Sequence, residues 1–139
     1  MKIWSVNTNI SSFKSDKGAD IILNQNRVVT WYRDELKNIN IGDLVLSYNN
    51  NKTIIAVGYA ISDTKKYIEI HHDTTQEQWI DIDWIWKCKE DLSNPIKLEN
   101  IESDIKVSMF LGTSFNWTKN INSFKLLEEI GKRKYKENK

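Results

Sequence analysis

Residues 41–60, IGDLVLSYNNNKTIIAVGYA, constrain this chain more than any other stretch. They read as a β-hairpin. Residues 44–48 lead out, the polar and Asn-rich residues 49–52 turn, and residues 53–57 return. Asn tolerates the left-handed backbone that tight hairpins need. Gly42-Asp43 breaks the chain before the first strand. Gly58 closes the second, where a missing side chain lets another backbone or a ligand come close. Both strands are apolar at nearly every position, which predicts cover on both faces. That suits the wall of a small barrel better than an open sheet with one wet face.

The remaining pattern is compatible with one domain of mixed α and β structure; 139 residues hold one proper core and not two. Residues 2–6 read as a first strand and residues 18–23 as a short helix. Residues 28–32 are β-prone, and residues 67–71 alternate as a strand does. Residues 79–87, WIDIDWIWK, show the cleanest alternation, with Ile80, Ile82, Trp84 and Trp86 on the core face. Residues 96–101 suggest a little strand or a helical turn, residues 105–111 an apolar packing segment, and residues 112–116 a loop. An amphipathic helix over 122–132 would bury Phe124, Leu127 and Ile130. The domain thus covers residues 1–131, and residues 132–139 form a basic tail.

Charge and cysteine content exclude several functions. The net charge is +1, so no global field advertises a polyanionic partner, and any basic face is local. Cys88 is the sole cysteine, which removes a disulfide framework and a cysteine zinc site. The opening residues lack an apolar signal core and no run approaches membrane-spanning length. A reducing, cytoplasmic setting without membrane contact is the expectation. His71 and His72 are adjacent, so on a strand they point apart and cannot chelate together. Spacing leaves open a Cys88 nucleophile with a histidine base, but nothing local activates the thiol. Asp81 and Asp83 share a strand face as a carboxylate pair or, more simply, as two solvated residues.

The six tryptophans are the informative part of the composition. Trp84 and Trp86 fall on an apolar face and read as core. Trp31, in VVTWYR, and Trp79, in TTQEQW, fall among polar residues, where a large aromatic is either a lid on the core or one wall of a pocket. Trp117, in SFNWTKN, is a weaker candidate of the same kind.

WIDIDWIWKCKEDLSNPIKLENIE resembles the corresponding stretch of YTH domains, which read 6-methyladenine. The hairpin GDLVLSYNNNKTIIAVGYA resembles both YTH and the related EVE domains. The opening IWSVNTN, followed by a single Trp before a Gly-Asp hairpin, is most like the EVE domains at the N-terminus of McrB-type modification-dependent restriction proteins. The resemblance runs from about residue 2 to about residue 127. It implies an α+β, PUA-like fold: a small bent β-barrel flanked by short helices. It also implies a non-catalytic reader that flips a modified, methylated base into an aromatic cage. Trp31 and Trp79 would be walls, and Asn9, with Asn7 beside it, would bond the base edge. Phosphate contacts would come from Arg33, Arg27, Lys14, Lys17 and the basic cluster of Lys132, Arg133, Lys134 and Lys136. The partner would be modified DNA or RNA, with any nuclease or NTPase in another domain or protein, and no cofactor or metal is called for. The loop before the last Trp-containing strand departs in length from the YTH pattern, and the basic surface is thinner. The alternative is a PUA-like enzyme domain acting on RNA or a nucleotide, with Asp81, Asp83, His71, His72 or Cys88 supplying its chemistry.

Overall fold

A computed structural model describes residues 1–7, 18–30, 36–49, 52–66, 78–101, 114–119 and 121–137. The elements are strands β1 (Ile3–Asn7), β2 (Arg27–Thr30), β3 (Leu44–Asn49), β4 (Thr53–Ala60), β5 (Lys65–Lys66), β6 (Gln78–Lys87), β7 (Ile96–Lys97) and β8 (Ser114–Asn116), and helix α1 (Ser123–Glu137). A π-helical turn covers Asp20–Asn24 and a 3-10 turn covers Leu98–Asn100. The expected strand over 67–71 and the apolar segment over 105–111 lie outside the described residues.

The hairpin is the centre of the molecule. β3 and β4 pair antiparallel from Leu44↔Tyr59 to Asn49↔Thr53, and Lys52 in the turn holds a left-handed φ of 62°. Every residue from Leu44 to Tyr48 and from Thr53 to Gly58 is buried, as two covered faces require. The sheet runs β2-β6-β4-β3-β1-β8, with β5 added to β6 and β7 to β4. It is mixed, because β1 lies parallel to β3 while the other pairings are antiparallel.

The sheet curls into a half-barrel whose end strands β2 and β8 do not pair with each other among the described residues. Two register shifts help to bend it. One skips Ile55 between Ser47↔Ala56 and Tyr48↔Ile54; the other skips Ile85 between Val57↔Trp86 and Gly58↔Trp84. Gly58 is required at the second. A Cβ there would overlap the carbonyl oxygen of Asp83 and come within 2.7 Å of Ile82 Cγ2.

Curling gathers Trp4 and Val6 of β1, Val45 of β3, Ile80 and Ile82 of β6 and Val28 of β2 into one cluster, which a flat sheet would keep apart. The opposite face carries the larger core. There Ile3, Leu46, Ile55, Val57, Trp86 and Trp117 meet Ile21, Ile22 and Leu23 of the π-helical turn and Leu126 and Ile130 of α1. β6 holds that turn by two of its carbonyls: Trp84 Nε1 donates to Ile22 O (3.1 Å) and Lys87 Nζ to Leu23 O (2.7 Å).

Several expectations need correction. Residues 114–116, expected as loop, form β8 and pair with Val6, Ser5 and Trp4. Trp86 is buried, but Trp84 is only half-buried, because β6 changes face at its bulge and leaves Trp84 between the two clusters. Helix α1 buries Leu126 and Ile130, whereas Phe124 and Leu127 are 86% and 64% exposed. The helix also continues through Glu137, beyond the expected end at residue 132.

Candidate nucleic-acid interface

Trp79 lies near the start of β6, paired with Val29 of β2 on one side and Lys65 of β5 on the other. Its neighbours Gln78 and Ile80 are buried, while Trp79, on the alternate face, is half-buried. It packs against the larger core, and the Arg27 guanidinium lies 4.9 Å from its ring centroid. That is cation–π distance. Arg27 therefore stands over an indole rather than projecting freely as a phosphate ligand, and its Nε is buried with no hydrogen-bond partner among the described residues. Asp81, two residues along β6 and opposite Arg27, pairs with Lys65 at 2.5 Å. Lys65 went unnoticed in the sequence because its place beside Trp79 depends on a two-residue strand after a turn.

Asn7 ends β1 opposite Tyr48. Its side-chain Oδ1 is buried with no hydrogen-bond partner among the described residues. Such an acceptor is costly to leave unpaired, and an amine or N–H of a ligand could satisfy it. Tyr48 beside it has its phenol pushed up by burial, partly offset by a backbone hydrogen bond from Lys52, so it stays a neutral hydroxyl. By strand register Asn7 and Trp79 stand at opposite ends of the ladder: Asn7 is level with Ile54 through Tyr48, and Trp79 lies beyond the Ala60↔Ile82 pair.

Trp117 is not a stacking wall. It is 1% exposed, and its indole N–H donates to Ser5 Oγ. Its neighbourhood is built by Asn116, whose side chain caps the turn by accepting from Thr118 N–H at 3.0 Å, while Thr118 Oγ1 accepts from Ile3 N–H at 2.9 Å. Arg133 is likewise committed elsewhere. It pairs with Glu129, donates through Nε to Asn94 O (3.0 Å) and through Nη2 to Pro95 O (2.7 Å), and lies over the Trp86 ring. A guanidinium so occupied clamps the helix to the loop rather than binding a phosphate. Lys132 is exposed and within 3.4 Å of Glu128, and Lys134 is exposed in the last turns of α1. Trp31, Asn9, Lys14, Lys17, Arg33, His71 and His72 lie outside the described residues.

Of the groups that the enzyme alternative would need, Asp81, Asp83 and Cys88 are among the described residues, and Asp83 is exposed. Asp81 is ion-paired, and Cys88 is 6% exposed, its backbone N–H donating to Ile55 O at 2.8 Å. Among the described residues no three His, Cys, Asp or Glu side chains gather as metal ligands would. No described helix is long and apolar enough to cross a membrane.

No protein-family model matches the chain, and no curated protein matches it. Solved structures do. Protein PSPTO5229 from Pseudomonas syringae is similar at a TM-score of 0.58 and 10% identity, over 91% of this chain and 99% of that one. Protein Atu2648 from Agrobacterium tumefaciens is similar at a TM-score of 0.55 and 12% identity, over 94% of this chain and 91% of that one. The likeness is one of fold: a small curled α+β barrel recurs over nearly the whole length of these chains.

Proposed function

We propose that this chain is a non-catalytic nucleic-acid reader with a PUA-like, EVE/YTH-type barrel, which takes a flipped, modified base against an aromatic wall. The observation that carries the reading is Trp79. Its indole is only half-buried, at the edge of the larger core and under the Arg27 guanidinium, while Trp86 and Trp117 are buried within that core. Stacking of a base on an aromatic contributes roughly 1–3 kcal/mol; with Arg27 over the ring and the core against it, the base displaces the guanidinium to reach the indole. Asn7, at the other end of the ladder, is too far from Trp79 to bond the same base, so the base-edge contact rests on Asn9, as the EVE/YTH resemblance has it. Flipping costs a few kcal/mol, and burying a methyl group returns about 0.8 kcal/mol. Modification alone therefore shifts a balance that stacking must first establish. In this reading the domain supplies specificity to a restriction system, and cleavage belongs to another domain or protein.

The test is a binding screen of the intact chain. Matched oligonucleotides carry 6-methyladenine, 5-methylcytosine, another modified cytosine or no modification, each as DNA and as RNA. The reading expects one modified set to bind more tightly than its unmodified match. Equal affinity across all sets would remove it.

A further inference from the structure

The end of β6, the turn after it and helix α1 enclose a groove of about 230 Å³ that the base-reading site does not use. Lys87, Lys89, Arg133 and Lys136 line it together with Ser93 and Asn94, and no acidic side chain does. The local sequence builds this directly. Cys88 turns inward, its N–H bonded to Ile55 O, so Lys87 and Lys89 on either side of it face outward. Lys136 follows Arg133 by three residues and so stands on the same side of α1.

The nearby acids are turned to other donors. Glu129 pairs with Arg133, Glu90 accepts from the Asn24 amide, and Asp91, drawn also towards Lys89, accepts from both the N–H and the hydroxyl of Ser93. Lys89 and Lys136 have no ion pair among the described residues. Arg133 is spent on Glu129 and two loop carbonyls, and it fixes the groove wall over Trp86. Lys87 is likewise spent, on Leu23 O; a concave surface that still offers two lysines and an amide, with no lining anion, matches the oxygens of a phosphate.

We infer that this groove is a phosphate-binding site, held by Lys89 and Lys136 with Asn94 beside them. The source of the phosphate rests on the proposed function: in a nucleic-acid reader it is a backbone phosphodiester, and otherwise it is a free phosphate. This narrows the phosphate contact of α1, expected across the basic cluster of residues 132–136, to Lys136.

The experiment compares wild type with Lys89→Gln/Lys136→Gln and with Lys132→Gln/Lys134→Gln, which changes net charge equally outside the groove. Each is titrated with an unmodified single-stranded oligonucleotide over a range of salt. Inorganic phosphate is added separately while the Ser93 and Asn94 amide resonances are followed. The groove variant should lower the slope of log affinity against log salt by about 1.4, two contacts at roughly 0.7 each, while the control moves it far less. Preference for a modified base should survive in both, so a missing preference in wild type counts against the reader and not against the groove. Phosphate-induced shifts in wild type that vanish in the groove variant, with oligonucleotide binding unmoved, assign the site to free phosphate. An unchanged slope with no phosphate-induced shift overturns the site, and so does an equal loss in the control.

Discussion

Asp43 ties the start of the chain to the central hairpin, and its chemistry shows how single residues hold this barrel. The carboxylate accepts from Lys2 N–H, Asn40 N–H and Trp4 Nε1, each at 3.0 Å. Burial pushes its pKa up, but the hydrogen bonds from Asn40, Lys2 and Trp4 outweigh burial and hold it below the ordinary 3.8. A lowered folded pKa means that the unfolded chain binds the proton first. The stabilisation is therefore complete above 3.8 and is lost as pH falls from there through the lower folded value. Asp43→Asn places an amide against these donors and should cost roughly 1.5–3 kcal/mol at neutral pH, the range for hydrogen bonds to a charged group. It should also flatten the decline of stability in acid. Urea unfolding of both proteins from neutral pH downward measures this; parallel curves would show that the carboxylate charge is not what holds the site. Asp43 was legible in the sequence only as part of a Gly-Asp break. Its partners come from residues 39 and 41 positions earlier in the chain and from the adjoining turn, and no local pattern announces them.

At the scale of elements, helix α1 shows where periodicity misleads. Phe124, Leu127 and Ile130 and the true inward pair Leu126 and Ile130 share one residue, so apolar spacing alone fits two faces. The start of the helix decides between them. Asn122 Oδ1 accepts from Lys125 N–H at 3.1 Å, and Asn122 N–H donates to Ile101 O at 2.8 Å, which sets the rotation of the first turn. Arg133 then extends the inward face, its guanidinium over Trp86, and a charged residue in that role is invisible to a hydrophobic pattern. Leu126→Ala should cost roughly 2–5 kcal/mol, whereas Phe124→Ser should fall within about 0.5 kcal/mol. Denaturant midpoints of the two variants decide it, and the reverse ranking would restore the other face. β8 escaped notice for a related reason. Three residues after a glycine carry too little alternation to read as a strand, and only pairing with β1 makes them one.

For the whole molecule, the hairpin and the long alternating strand carried most of what could be read in advance. Dense apolar residues on both sides of an Asn-rich turn specify two buried strands, and the alternation of 79–87 specifies a third. Curvature was less legible, since it depends on the skipped residues Ile55 and Ile85 and on a glycine pressed against a carbonyl. Of the candidate site, the sequence singled out Trp79 by its polar surroundings, but it could not foresee that Arg27 would cover the ring. Trp117 misled because its polar neighbours are turn-capping residues and not a pocket rim. The central claim is that Trp79 is a stacking wall and not merely a lid on the core. Its most direct test is a titration of folded wild type and Trp79→Ala against the preferred modified oligonucleotide and its unmodified match. The account predicts that the variant keeps its general affinity and loses its preference for the modified base, a change of roughly 1–3 kcal/mol or about ten- to a hundredfold in affinity for the modified strand. A folded Trp79→Ala protein with its preference intact would contradict it.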